Sequence, residues 1–199
     1  MKKRSLSLLL ALLMVLSLIV PGTAAFADDA AQWPSFRGSD VNMAISAAKT
    51  PADAQHTTLK WASKLGTDWS MSPGAPIIVG DTLVTMAGDT LNMLSLADGS
   101  VVKSAKMQAS SGYGLTAPTY ADGMIIAPLS KGTIEAFDAA TLESKWVYTD
   151  KLGGQSLSPV LYADGKLYVG FWNDEAEDAS FVCLDAKTGK CDWSYAVKG

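Results

Sequence analysis

The chain has 199 residues, with 16 basic and 20 acidic side chains, a formal net charge of −4, one histidine and two cysteines. The lack of a basic surplus argues against nucleic-acid binding, which needs lysine and arginine to meet the phosphates. The only candidate for imidazole chemistry is His56, and we interpret it as a surface residue because it lies in the polar stretch PADAQHTT.

The first 27 residues have the three-part pattern of a secretory signal peptide. Three basic residues at positions 2–4 precede the apolar run Leu6–Val20, and a small-residue site ends at Ala27. The apolar run is shorter than the roughly 18 residues that suggest a membrane-spanning helix. We therefore predict cleavage after Ala27, no membrane span in the mature chain, and a secreted or cell-surface location. Cleavage would remove three positive charges and no acidic residue, which changes the net charge to −7.

A lead-in segment, residues 28–57, precedes a repetitive region that covers residues 58–199. Three similar stretches begin at Pro76, Pro118 and Pro159, so the repeat length is 42 and then 41 residues. Each stretch contains four short β-prone runs separated by turn residues such as Asp122-Gly123, a pair typical of tight hairpins. Four strands in about 42 residues is the size of one β-propeller blade. A β-sandwich would not repeat in this way, and the coils of a solenoid are usually shorter.

We therefore predict an all-β chain made of four-stranded antiparallel propeller blades. Three blades are expected, at about residues 73–106, 115–150 and 156–197. Residues 58–64, with Trp61, fit the register of one more outer strand, for which the sequence offers no obvious partner.

The stretches LDAKTGKCDW and FDAATLESKW resemble the blade signature of the pyrroloquinoline-quinone-like (PQQ-like) propeller repeats, roughly A-x-D-x-x-T-G-x-x-x-W. The matching residues are Asp138 and Trp146 in the second repeat, and Asp185, Gly189 and Trp193 in the third. The stretch WPSFRGSD, residues 33–40, also resembles a segment that precedes many such propellers. The first two repeats depart from the pattern, with Ser95, Leu142 and Lys103 at the Asp, Gly and Trp positions respectively.

The motif residues have a structural interpretation. The aspartate can accept hydrogen bonds from the turn, and the glycine can adopt the left-handed conformation that ends it. The resemblance implies that the tryptophan lies flat against the neighbouring blade, where a large ring with one N–H group is well suited. It also implies seven or eight blades in a closed ring. Because three blades cannot close a ring, we expect either further blades of a longer propeller or self-association.

The sequence disfavours two candidate ligand sites. The acidic insert NDEAEDAS offers Asp174, Glu175 and Asp178 to calcium, but it lacks the spacing of a known calcium loop, so we favour a solvated hairpin tip. In the quinoprotein dehydrogenases that share this resemblance, PQQ is held with calcium at the ring centre, often beside a pair of adjacent cysteines. This chain has no such pair and no matching constellation of acidic residues. We expect no cofactor, no metal and no enzyme activity.

The two cysteines, Cys183 and Cys191, flank the turn of the third repeat. Two thiolates alone are too few for a zinc site, and their spacing is not Cys-x-x-Cys. They could form a disulfide if the strands place them directly opposite each other.

Two functions remain open. The first is a non-catalytic extracytoplasmic binding or scaffold module for a protein or a cell-surface polymer. The second is the N-terminal portion of a PQQ-dependent dehydrogenase whose active-site residues lie in other blades.

Overall fold

The architecture is that of three stacked β-sheets. A computed structural model describes residues 33–39, 41–46, 51–66, 73–112, 116–173 and 178–198. The described residues form three four-stranded antiparallel sheets and two short 3₁₀ turns, Phe36–Gly38 and Ala54–His56. The prediction of an all-β chain with incomplete propeller geometry is confirmed. The predicted cleavage site at Ala27, and Asp174 and Glu175 of the acidic insert, lie outside the described residues.

Each sheet is a meander in which consecutive strands pair. We call the sheets blades 1, 2 and 3. Blade 1 contains β1 (Ile77–Val79), β2 (Thr82–Ala87), β3 (Thr90–Ser95) and β4 (Val101–Lys106). Blade 2 contains β5 (Thr119–Ala121), β6 (Met124–Pro128), β7 (Thr133–Asp138) and β8 (Ser144–Thr149). Blade 3 contains β9 (Leu161–Ala163), β10 (Lys166–Gly170), β11 (Ala179–Asp185) and β12 (Cys191–Val197).

The repeat is visible in the backbone geometry of all three blades. Asp122-Gly123 and Asp164-Gly165 form two-residue hairpin turns with positive φ at both residues, the conformation that matches the twist of antiparallel strands. The pairing of the third and fourth strands also shifts register at one equivalent point per blade, after Met93, Ala136 and Cys183. These β-bulges lie beside the motif turn, and they increase the local twist of the outer strand.

The hydrophobic core lies between the blades. One buried cluster joins blade 1 to blade 2, and a second joins blade 2 to blade 3. Adjacent residues of β6 alternate between them, with Ile125 in the first cluster and Ile126 in the second. A central strand buried on both faces has to be apolar at nearly every position, which explains the run MIIAP in blade 2.

The N-terminal segments run across the sheets without forming a blade. Trp33 makes an isolated antiparallel bridge with Ile78 of β1, and the Tyr120 N–H of β5 donates to the Pro34 carbonyl. Residues 58–64, expected as an outer strand, pair with no strand in the part of the chain that the structure describes. Among the described residues, no helix is long and apolar enough to cross a bilayer.

Candidate functional site

Two tryptophans connect neighbouring parts of the stack through the same contact. The Trp61 indole N–H donates to the Leu96 carbonyl at 3.2 Å, and its ring covers Gly99 of blade 1. The Trp146 indole N–H of blade 2 donates to the Ala186 carbonyl of blade 3 at 3.1 Å. Its ring covers Gly189.

Glycine is required under both rings for two reasons. Gly99 and Gly189 have φ of +71° and +68°, a region that side chains rarely adopt. A Cβ atom on either glycine would also overlap the indole ring above it. The turn is therefore shaped to receive a flat ring, and any side chain at the glycine position excludes that ring.

The interface between blades 1 and 2 uses a different pair of residues. Lys103 stands at the tryptophan position of blade 1, and its ammonium group donates to the Ala140 carbonyl. Leu142 stands at the glycine position of blade 2 with φ of +60°. The Leu142 side chain is 5% exposed and packs in the cluster that joins the two blades. The Leu142 side chain therefore occupies part of the space that corresponds to the position of the indole ring in the Trp61 and Trp146 contacts.

The motif aspartates act within their turns. The Asp138 Oδ1 atom accepts from the Ala140 and Thr141 N–H groups at 3.0 and 2.9 Å. These hydrogen bonds, led by those from Thr141, hold the pKa of Asp138 below its usual value. Blade 1 has Ser95 at this position, and its hydroxyl accepts from the Ala97 N–H at 3.1 Å.

Asp185 holds the turn of blade 3 in the same way. Its Oδ1 atom accepts from the Thr188 hydroxyl at 2.8 Å and from the Thr188 N–H at 3.1 Å. The Lys166 ammonium group lies 3.2 Å from the Asp185 Oδ2 atom and 2.7 Å from Asp192. The pKa of Asp185 is lowered, first by the Thr188 hydroxyl and then by Lys166.

Trp193 occupies the tryptophan position of blade 3, but its environment differs. It is 44% exposed, whereas Trp61 and Trp146 are half-buried. Its ring contacts side chains of its own blade, with centroids 6.2 Å from Tyr168 and 5.9 Å from Phe181. Among the described residues, no turn glycine lies under the Trp193 ring.

These rings belong to a broad apolar surface, which we call the open face of blade 3. Cross-strand pairing aligns Tyr168, Cys183 and Trp193, just as it aligns Ile126, Ala136 and Trp146 in blade 2. In blade 2 the equivalent face is covered by blade 3. In blade 3 the face leaves several large apolar side chains exposed: Phe181, Trp193, Tyr195 and Val197.

The two cysteines are free thiols in the structure. The bulge after Cys183 pairs that residue with Trp193, and it pairs Cys191 with Leu184. The sulfurs therefore point to opposite sides of the sheet, because neighbouring residues of a strand alternate in direction. Cys191 packs against the core between blades 2 and 3, and Cys183 is buried beneath the rings of the open face.

One buried carboxylate was not identified from the sequence. Glu135 of β7 is fully buried, and it accepts from the Gln108 N–H at 2.8 Å and from the Ser144 hydroxyl at 2.7 Å. Gln108 follows β4, so Glu135 connects the end of blade 1 to the interior of blade 2. The sequence does mark this residue, because Glu135 lies between two apolar residues in TIEAFD. A charged residue in a strand that is buried on both faces requires hydrogen-bond partners.

The remaining candidate residues lie apart from these contacts. His56 is exposed, as predicted, and its Nδ1 atom lies 2.6 Å from the Asp53 Oδ1 atom. Asp178 of the acidic insert pairs with Lys198 at 2.7 Å. Across the described ranges, no three His, Cys, Asp or Glu side chains are grouped in a way that could hold a metal ion.

Comparison with known proteins identifies the repeat. A protein-family profile described as "Outer membrane protein assembly factor BamB" and named PQQ_2 matches residues 44–199. The chain belongs to this PQQ-like repeat family. No curated protein matches it in sequence.

Two solved structures to which this PQQ-like chain is similar are much longer than it is. A europium-containing methanol dehydrogenase is 18% identical with a TM-score of 0.72, over 86% of this chain and 33% of its own. The quinohemoprotein alcohol dehydrogenase ADHIIG from Pseudomonas putida HK5 is 19% identical with a TM-score of 0.70, over 83% of this chain and 26% of its own. The chain thus spans a third or less of these proteins, and the likeness establishes the propeller fold.

Proposed function

We propose that this PQQ-like chain is a non-catalytic binding or scaffold module that acts outside the cytoplasm. The observation that carries the proposal is the open face of blade 3. Exposed aromatic side chains grouped on one face of a sheet are typical of a surface that another protein covers. The signal-peptide pattern at the N-terminus supports an extracytoplasmic site of action.

The contacts inside the chain indicate what would cover this face. Trp61 and Trp146 each lie on a left-handed glycine and donate to the carbonyl three residues before that glycine. Trp193 presents the same ring and the same donor without that turn. We infer that the partner is a protein surface that offers such a turn, supplied by further blades of the same propeller, by a second copy, or by another PQQ-like protein. The description of the matching family as an assembly factor agrees with a protein partner.

Sedimentation velocity on the chain tests self-association through this face. A self-associating chain should become monomeric on Trp193→Ser, while the matched change Val147→Ser should leave its association unchanged, because Val147 is equally exposed but lies on β8 of blade 2. Association that persists in Trp193→Ser would contradict docking through this face.

The alternative function, the N-terminal portion of a PQQ-dependent dehydrogenase, is distinguished by the coding sequence downstream of residue 199. Further blades that carry a calcium site and a catalytic base would favour the enzyme. Further blades followed by adhesion or wall-binding modules would favour the scaffold. Stoichiometric binding of quinone and calcium by this chain would overturn the non-catalytic proposal.

A further inference from the structure

The two ends of the stack of blades are complementary. Blades 1 and 3 form these ends, because one core cluster joins blade 1 to blade 2 and the other joins blade 2 to blade 3. Blade 1 has a turn that receives an indole ring on Gly99. Blade 3 has an exposed indole ring, Trp193, under which no glycine turn lies among the described residues. One copy of the chain therefore offers the turn that another copy lacks.

The contact between blades 2 and 3 shows how two such ends fit together. The Trp146 ring of one blade lies on Gly189 of the next. The turn of blade 1 is built in the same way as the turn of blade 3: the Gly99 N–H donates to the Ser95 carbonyl at 2.9 Å, and the Gly189 N–H donates to the Asp185 carbonyl at 2.8 Å. A second copy docked on the open face would thus continue the interface that already joins blades 2 and 3.

Within the chain, however, the turn of blade 1 is occupied by residues 58–64, which we call the cap. Three side chains of the cap hold the turn: the Trp61 ring covers Gly99, the Lys60 ammonium group donates to the Leu96 carbonyl at 3.0 Å, and the Ser63 hydroxyl donates to the Gly99 carbonyl. The Trp61 indole N–H donates to the same Leu96 carbonyl at 3.2 Å. The cap and the Trp193 of a second copy would therefore compete for one acceptor and one ring position.

The cap is held by few contacts. Leu59 is 83% exposed, Trp61 is half-buried, and residues 62–64 are exposed. The cap also pairs with no strand in the part of the chain that the structure describes, and a segment of this kind opens at a low free-energy cost. Its advantage over a second copy is its short connection to β1 through residues 65–76, since a short tether gives an effective concentration on the order of millimolar.

We propose that the cap blocks a docking site for a second copy of the chain, and that release of the cap allows the Trp193 ring of that copy to lie on Gly99. The Trp193 N–H then donates to the Leu96 carbonyl in place of Trp61. Such a contact is head-to-tail, and it extends into a ring or an open chain of copies. The cap therefore limits assembly. The proposal rests on the docking role of the open face proposed above, and it adds the partner and its control.

Sedimentation velocity of Trp61→Ser tests the proposal. The unchanged chain should sediment as a monomer at every concentration, whereas Trp61→Ser should sediment faster as the concentration rises, because the turn of blade 1 is then accessible. The matched change Leu59→Ser alters an exposed residue of the cap and should leave the chain monomeric. A Trp61→Ser variant that stays monomeric, or an unchanged chain that already associates through Trp193, would overturn the proposal.

Two double variants separate docking from aggregation of a misfolded chain. Trp61→Ser/Trp193→Ser removes the incoming ring, and Trp61→Ser/Gly99→Asn fills the space above the turn. The second variant should fold, because Leu142 holds the equivalent position of blade 2 with φ of +60° and asparagine tolerates this conformation. Both double variants should be monomeric. Association of either one to the extent seen in Trp61→Ser would contradict docking of Trp193 on Gly99.

A peptide supplies the cap from outside the chain. The blocked peptide of residues 58–64, Thr-Leu-Lys-Trp-Ala-Ser-Lys, in millimolar excess should return Trp61→Ser to the monomer. The same peptide with serine in place of tryptophan should not. An assembly that persists unchanged with the tryptophan peptide would contradict competition for the turn.

The failure of the cap and the failure of the docking role give different results. If Trp61→Ser stays monomeric while a photoreactive residue at position 195 still cross-links another protein, the open face docks a different partner and the cap proposal is wrong. If neither association nor cross-linking occurs, the docking role of the open face is wrong as well.

Discussion

Replacing the Lys103–Leu142 pair by tryptophan and glycine should convert the interface of blades 1 and 2 into the contact used by its neighbours. We expect Lys103→Trp and Leu142→Gly each to lower the free energy of unfolding, and the double variant to recover most of the loss. The reason is steric, because a side chain at the glycine position overlaps an indole ring in both sister contacts.

The magnitude follows from burial and backbone strain. Removing a buried leucine side chain costs about 2–5 kcal/mol, and relieving the positive φ of Leu142 returns about 1 kcal/mol. Leu142→Gly should therefore cost about 1–4 kcal/mol. Lys103→Trp alone forces the indole ring against the space that Leu142 occupies, and this overpacking should cost about 1–3 kcal/mol. In the double variant the ring fills the vacated space, so the coupling energy should be about 2 kcal/mol.

Urea unfolding of the unchanged chain, the two single variants and the double variant, followed by circular dichroism, measures this coupling energy. With an m-value of about 2 kcal/mol/M, the expected coupling energy corresponds to a difference of roughly 1 M in the urea concentration at the unfolding midpoint. Lys106→Trp serves as the control, because Lys106 is exposed on the same strand but is three residues away from the tryptophan position of the repeat. It should show no coupling to Leu142→Gly. Additive effects of Lys103→Trp and Leu142→Gly, within about 0.5 kcal/mol, would refute the reasoning.

Three other predictions concern single residues. Glu135→Ala should lower the free energy of unfolding by about 1–3 kcal/mol, because it removes a fully buried side chain together with its two hydrogen bonds. Glu135→Gln should be much milder in the same urea assay, because its amide oxygen can accept from the Gln108 N–H and its NH2 group can donate to the Ser144 hydroxyl; equal losses would contradict this role. The lowered pKa of Asp185 in the folded state means that its stabilising contribution is present above the unfolded-state value near 4 and is lost as the pH falls below it. Asp185→Asn should therefore reduce the loss of thermal stability between pH 5 and pH 2, and an unchanged pH profile would contradict it. Mass spectrometry of the unreduced protein after alkylation should find Cys183 and Cys191 as separate thiols once the protein is unfolded, and a linked peptide pair would show that the strand register differs.

The sequence predicted the blades because their turns depend on residues with unusual backbone freedom. Asp122-Gly123 and Asp164-Gly165 mark hairpins by chemistry that does not depend on the rest of the fold. The repeat length then groups the predicted strands into sets of four, and each set is one blade.

The contacts between blades were less predictable. Leu142 and Lys103 were recognised as departures from the repeat, but only the packing shows that they form one exchanged pair. The sequence spacing could not show whether Cys183 and Cys191 lie opposite each other, because the bulge after Cys183 inserts one residue and changes which residues of β11 and β12 pair. Glu135 was missed because its partners, Gln108 and Ser144, are distant in sequence or on another strand.

Site-specific photocross-linking tests the central claim, that the open face of blade 3 docks a protein, most directly. A benzophenone amino acid replaces Tyr195, which is 69% exposed on this face, and the protein is irradiated in the cells that produce it. The proposal predicts one dominant cross-linked product, in which mass spectrometry places the link beside a glycine turn that resembles Asp185–Gly189. The same probe at Val101 of blade 1 should not give that product. No cross-link at position 195, or the same products from both positions, would contradict docking through the open face.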